Sequence, residues 1–238
     1  MRKLNLDSNI NFDVKNHAVL NIGGYEVWIT DTLINTWIIM GILIIFAIVV
    51  RVSLSKFKTV PKGFQNVVEY LVEMFDNFMY TSGGDRFMFL GNWFFSVFAF
   101  ILLSNLSGLF FLRPPTADWA TPLALALVTF VLIHVCAARN RGFKHLKSFI
   151  EPNPVFLPLN IIGEIARPIS LSFRLFGNVL GGLILMGLIY AMVPVFVKFV
   201  IPSALHAFFD VFVGAIQTYV FCILSLAFIR SSAAPEEG

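Results

Sequence analysis

Charge is scarce in this 238-residue chain: 17 Lys and Arg and 14 Asp and Glu amount to 13% of the sequence, about half the share usual in soluble domains. With 58% hydrophobic residues and a mean hydropathy of +0.81, too little polar surface remains to solvate a soluble fold. Cysteine is scarcer still. Cys136 and Cys222 stand in separate apolar runs and offer neither a metal-ligand spacing nor a disulfide framework. G-x-S-x-G, P-loop and H-E-x-x-H patterns are all missing, so no catalytic residue, metal or cofactor is expected. No clustered basic–aromatic face exists, which argues against a nucleic-acid partner despite a net charge of +3. The opening MRKLNLDSNINF lacks an apolar core segment, so a cleaved signal peptide is not expected and the first span is expected to direct insertion.

What the chain has instead is long apolar runs: Leu33–Val50, Phe87–Leu112, Trp119–Ala138, Ile169–Ile201 and Ala204–Ile229. Each approaches or exceeds the roughly 20 residues that cross a bilayer as a helix. The expected fold class is therefore an all-α polytopic membrane protein, a single membrane domain over 1–238. Its expected parts are an outer tail (1–28), membrane helices at 29–52, 87–113 and 119–138, an interfacial helix at 61–81, and a long tilted helical hairpin at 155–193 and 202–230. Ten Lys and Arg fall in the segments Arg51–Arg86, Arg139–Lys147 and after Ile229, against five in the N-terminal tail and the two opposite turns. The positive-inside bias then puts the N-terminus outside and the C-terminus in the cytoplasm. Gly63–Tyr80 is different in kind: Phe64, Val67, Val68, Leu71, Val72, Phe75, Phe78 and Met79 recur at helical spacing opposite Gln65, Glu69, Glu73 and Asp76, the pattern of an amphipathic helix at the cytoplasmic membrane surface.

Acid is absent altogether between Glu164 and Asp210, which leaves Arg174 without a carboxylate close by in sequence. An arginine at mid-membrane costs about 2.5–3.5 kcal/mol on insertion scales and stays charged there. Helical spacing puts Ser170, Arg174, Gly177, Asn178 and Gly181 on one face, and His206, Asp210, Gly214, Gln217 and Phe221 on a second. Taken singly, the glycines also fit ordinary close packing of membrane helices.

The stretch SFRLFGNVLGG, followed about forty residues later by DVFVGAIQTYVFCILSL, resembles the a subunits of F-type ATP synthases. The likeness extends back through LNIIGEIARPIS, PTADWATPLALAL and LLSNLSGL. It implies the stationary, ion-translocating half of a rotary motor in a bacterial plasma membrane, coupling an ion gradient to ATP synthesis. The implied partners are a ring of small proteolipid c subunits, the peripheral-stalk b subunits and membrane lipid. The missing acid would then be a succession of ring carboxylates facing Arg174, loaded and unloaded through two offset half-channels.

On the expected topology His206 and Asp210 lie toward the outer entrance, Glu164 toward the cytoplasmic exit, and Gln217 reaches the level of Arg174. Asn178, one turn beyond Arg174, is placed to orient water or the passing acid. Glu164 has a competing role as the i,i+3 partner of Arg167. Asn105, Asp118 and Ser170 are further candidates for channel lining; for Asn105 the alternative is a hydrogen bond between helices, for Asp118 a helix cap. Leu183 stands nine positions after Arg174, where many members of that family carry an ionisable residue, and this shifts weight onto Asp210 and His206. The coupling ion, H⁺ or Na⁺, is chosen mainly by the ring. An independent secondary transporter would show internal repeats, and an intramembrane enzyme a nucleophile–base pair or metal ligands; the sequence offers none of these.

Overall fold

The computed structural model describes residues 16–22, 25–110, 112–142, 154–192 and 200–233. The expectations for residues 1–15, the basic positions Lys144 and Lys147, the turn at 193–199 and the chain end after 233 lie outside them. Five helices among the described residues are long and apolar enough to cross a membrane, which gives the all-α polytopic architecture expected. A short antiparallel ribbon precedes them. Strands β1 (Asn16–Ile22) and β2 (Tyr25–Thr30) pair with Ile22 opposite Tyr25 and an irregularity near Asn16, where a plain tail is expected from the sequence.

Helix α1 (Asp31–Ser53) opens on a Thr30 cap whose side chain accepts from Leu33 N, with Asp31 in its first turn and Arg51 in its last, each charge opposing the helix dipole. Only Thr32, Asn35 and Ile39 are buried, one stripe at steps of three and four. That stripe is fixed by polar bonds at one end: Thr32 Oγ1 donates to Asp118 and Asn35 Nδ2 to the Arg113 carbonyl at 2.9 Å. Helix α2 (Phe64–Gly83) lies between Gly63 and Gly84, both at positive φ (59° and 77°), a conformation that favours glycine. Gln65 ties its start back to the Lys58 backbone through both amide atoms. The helix buries Val68, Phe75 and Met79, while Phe64, Val67 and Val72 of the same apolar set stay exposed.

Helices α3 (Gly91–Leu106), α4 (Ala120–Arg141), α5 (Leu157–Met192) and α7 (Gly214–Ala233) form the bundle. Its core runs through Phe94, Ile101, Ile133, Leu175, Phe221 and Leu226, with α7 packed against α2, α3, α4 and α5. At 36 residues α5 is roughly 54 Å long, well beyond a hydrocarbon core of about 30 Å, and such a helix tilts or runs on past the membrane. The last hydrophobic region is continuous but not uniform: α6 (Val200–His206) passes through a π-helical turn (Ala207–Val213) into α7.

Candidate functional site

The C-terminal end of α3 and the start of α7 approach so closely that a Cβ on Gly214 would stand 2.9 Å from Asn105 Cβ. The polar groups brought together there satisfy one another. Asn105 Nδ2 donates to the Gly214 carbonyl at 3.0 Å, and its Oδ1 accepts from Thr116 Oγ1 at 3.1 Å. Just above, a cavity of about 300 Å³ opens between α3, α5 and the π-helical turn, reached by Asn105, Asn178, Tyr190, His206, Asp210 and Gln217. The π-helical turn carries Asp210 at its middle. Such turns widen the helix locally and recur at functional sites.

His206 Nδ1 lies 2.7 Å from Asp210 Oδ2, and Tyr190 Oη lies 3.3 Å from His206 Nε2. In the neutral tautomer that serves both contacts, Nδ1–H donates to the carboxylate and Nε2 accepts from the tyrosine hydroxyl. The chain Tyr190–His206–Asp210 thus joins three groups able to hold or pass a proton along one wall of the cavity. Asp210 rests against a bare stretch of backbone: a Cβ on Gly108 would come within 2.7 Å of its Oδ2. At the inner end, Asn178 Nδ2 donates to Gln217 Oε1, and the buried Gln217 Nε2 has no hydrogen-bond partner among the described residues. Gln217 therefore meets Asn178, one turn beyond Arg174. Leu183 also lines this cavity, as an apolar wall segment.

Arg174 lies outside the cavity. It is exposed on α5, beside exposed Gly177, Asn178 and Gly181, and a Cβ added to either glycine would meet nothing within 4 Å. Among the described residues Arg174 has no ion pair or hydrogen bond. The neighbouring residues are held by Trp119: its Nε1 donates to the buried Ser172 Oγ at 3.3 Å, and its indole stacks on the exposed Phe173. Glu164 lies ten residues earlier, roughly 15 Å along the helix axis. It accepts from Arg167 Nη1 at 2.8 Å, and His134 Nε2 is 4.0 Å away. Arg167 also reaches Ser232 Oγ at 3.0 Å and covers the Phe228 ring, which joins the ends of α5 and α7.

Of the remaining expected residues, Asp118 accepts from Thr32 Oγ1 and from Ala120 N at the start of α4, outside the cavity lining. Ser170 is exposed, on the Arg174 side of α5. No pattern in the sequence singles out Tyr190, Gly108 or Thr116. Tyr190 carries the only hydroxyl in the apolar stretch LILMGLIYAM, and Gly108 lies in LLSNLSGL; each is visible as a residue, but its partner across the bundle is not.

A family model described as ATP synthase A chain matches residues 33–230. The chain belongs to the ATP synthase A chain family. It is 32% identical over 236 residues to the sodium ion specific ATP synthase subunit a of Propionigenium modestum, covering 90% of this chain and 78% of that relative. It is 33% identical to the chloroplastic subunit a of Stigeoclonium helveticum, over 92% of this chain and 90% of the relative. With the chloroplastic subunit a of Oedogonium cardiacum the identity is 34%, over 94% and 92%. Together with the five membrane-length helices, membership makes this a multi-pass membrane subunit of the ATP synthesis and ion transport machinery. Two of these three relatives are chloroplastic, so the comparisons support a multi-pass membrane protein without singling out the bacterial plasma membrane expected from the sequence.

Proposed function

We propose that this member of the ATP synthase A chain family is the stationary ion-conducting subunit of the rotary motor, with Arg174 set against passing carboxylates of a c-subunit ring. The observation that carries the reading is Arg174 itself: a guanidinium on a membrane helix, exposed and unpaired among the described residues, beside two glycines that leave the surface bare. A cation that cannot lose its proton is costly in lipid without a counter-charge. A ring acid arriving from a neighbouring subunit supplies one, and the arginine in turn favours the deprotonated acid as it passes.

The cavity with Tyr190, His206 and Asp210 serves as the outer half-channel, with N-terminus outside and C-terminus in the cytoplasm. The coupling ion enters beside the His206–Asp210 pair and travels toward Asn178 and Gln217, a distance of roughly 10 Å along the helix from Asp210 to Gln217. The orphaned Gln217 Nε2 is a donor placed for water or for the ring acid. Asn105 supports this wall by holding α3 on α7, and Asp118 supports it from outside by capping α4. Glu164 serves the cytoplasmic half-channel, with Ser170 between it and Arg174. Arg167 Nη1 lies against both of its carboxylate oxygens, and Oε2 is also 4.0 Å from His134 Nε2, so a proton received there has a second basic group beside it. Because the two pathways are offset on either side of Arg174, an ion crosses only by riding the ring. The ring and the peripheral-stalk b subunits are the partners this reading requires; H⁺ or Na⁺ is selected by the ring.

The test is ATP synthesis driven by an imposed ion gradient in vesicles containing the assembled complex. Arg174→Ala is expected to abolish coupled synthesis and to open a passive leak. Arg174→Lys is expected to fail nearly as badly, since an ammonium is strongly hydrated and can deprotonate when desolvated. Normal synthesis with Arg174→Ala would sink the reading.

A further inference from the structure

At the end of the bundle remote from Asp210, the short 3₁₀ segment Asp85–Leu90 before α3 lies beside the last turns of α4. A pocket of about 340 Å³ opens between them, lined by Arg86, Phe89, Cys136, Arg139 and Asn140. The ion pathway described above does not use it. Three other arginines at this end are engaged: Arg167 with Glu164, Arg141 with the Ser232 carbonyl and Arg230 with the Ser82 carbonyl. Arg86 and Arg139 have no ion pair or hydrogen bond among the described residues. Asp85 is adjacent in sequence but does not line the pocket.

We propose that this pocket binds the phosphate of an anionic phospholipid headgroup. Two guanidinium groups on one small pocket repel each other unless an anion lies between them, and a phosphodiester accepts the paired N–H bonds that guanidinium presents. The Asn140 side chain adds a neutral donor. Phe89, 61% exposed, extends the wall as an apolar rim suited to the start of an acyl chain, and the buried Cys136 closes the floor. The position fits the ligand: both arginines stand at the ends of membrane-length helices, where headgroups lie, and basic pockets between such helices take anionic lipids. A free phosphate offers the same oxygen atoms but no acyl chain for Phe89. The proposal is independent of the half-channel assignment.

The complex containing this chain is reconstituted into phosphatidylcholine vesicles doped with phosphatidylglycerol that carries a photoreactive headgroup, and adducts are located by peptide mass mapping. Adducts are expected on residues 85–90 and 136–140, suppressed by excess unlabelled phosphatidylglycerol and unaffected by excess phosphatidylcholine. Arg86→Gln with Arg139→Gln should lower them about tenfold, as loss of charge-assisted bonds implies, while Arg51→Gln, outside the pocket, leaves them unchanged. Arg86→Lys with Arg139→Lys should keep part of the labelling, which separates loss of charge from loss of fold. Suppression by inorganic phosphate at constant ionic strength would overturn the lipid assignment in favour of a free anion on the same groups. Labelling equally reduced by phosphatidylcholine, or indifferent to both Gln and Lys pairs, would overturn the site itself.

Discussion

Asp210 is held from two sides: His206 Nδ1 at 2.7 Å binds its Oδ2, and the bare backbone of Gly108 leaves room for the same oxygen. Glycine at 108 is thus a positioning residue. Its replacement acts through the carboxylate, because the added methyl must displace either Asp210 or the end of α3. Gly108→Ala is expected to slow gradient-driven ATP synthesis severalfold in the wild-type background and to have no further effect once Asp210 is Ala. A double-mutant cycle on synthesis rate reads that coupling, and equal losses in both backgrounds would contradict it. Residues of this kind explain what the sequence could and could not reveal. Arg174, Asn178, His206, Asp210 and Gln217 stand out in the sequence in two steps: helical spacing puts polar or small residues on two faces of apolar runs, and the resemblance to ATP synthase a subunits gives those faces their expected roles. Gly108 and Tyr190 do not, since their significance lies in a neighbour from another helix. Arg167 was legible in part: its i,i+3 spacing gives the pair with Glu164, whereas Ser232 and Phe228 reach it from another helix. Replacing it with Lys sacrifices the fork that makes those contacts together.

At the scale of elements, the five membrane-length helices followed from run length, because hydropathy is a property of composition over about 20 residues. Two local features did not. The pairing of β1 with β2 was signalled by VLNIGGYEVW, in which Gly-Gly separates strand-forming residues, but the signal is short and stands next to a long apolar helix. The π-helical turn at Ala207–Val213 leaves no mark in sequence spacing. Helix α2 shows what pattern can still decide. Its apolar stripe is wider than the bundle covers: Val68, Phe75 and Met79 are buried, whereas Phe64, Val67 and Val72 are exposed next to the polar side. An apolar flank left uncovered beside a charged face is what a helix lying on the membrane surface requires. Cysteines introduced at the exposed positions Asn66 and Glu73, in a chain with Cys136 and Cys222 replaced, are expected to react with impermeant thiol reagents from the cytoplasmic side only. Reaction from the outer side would reverse the topology.

For the molecule as a whole, the decisive contrast is between glycines that face other helices and glycines that face nothing. Gly83, Gly108 and Gly214 each lie within 3.2 Å or less of a neighbouring side chain when a Cβ is added, against Leu226, Asp210 and Asn105 respectively. Gly177 and Gly181 have nothing within 4 Å. They share the exposed side of α5 with Arg174, while the opposite side buries Leu171, Ser172 and Leu175 against the bundle. Glycine in a helix interior is destabilising relative to alanine by roughly 1 kcal/mol, and Gly41 and Gly163 are equally open; what sets Gly177 and Gly181 apart is their place beside Arg174, exposed and unpaired among the described residues. They fit a partner surface that passes close by. Gly214→Leu is therefore expected to disrupt the α3–α7 contact and lower the thermal stability of the purified full chain in detergent. Gly177→Leu should leave that stability equal or slightly higher, because the new side chain meets open space and leucine favours helix. On the proposed function the ranking is expected to invert in the assembled complex: Gly177→Leu should fold and insert but cut gradient-driven ATP synthesis, because the leucine would occupy the proposed path of the ring beside Arg174. Full synthesis by the Gly177→Leu complex would show that no partner approaches this face closely, and the ring would have to be sought elsewhere on the molecule.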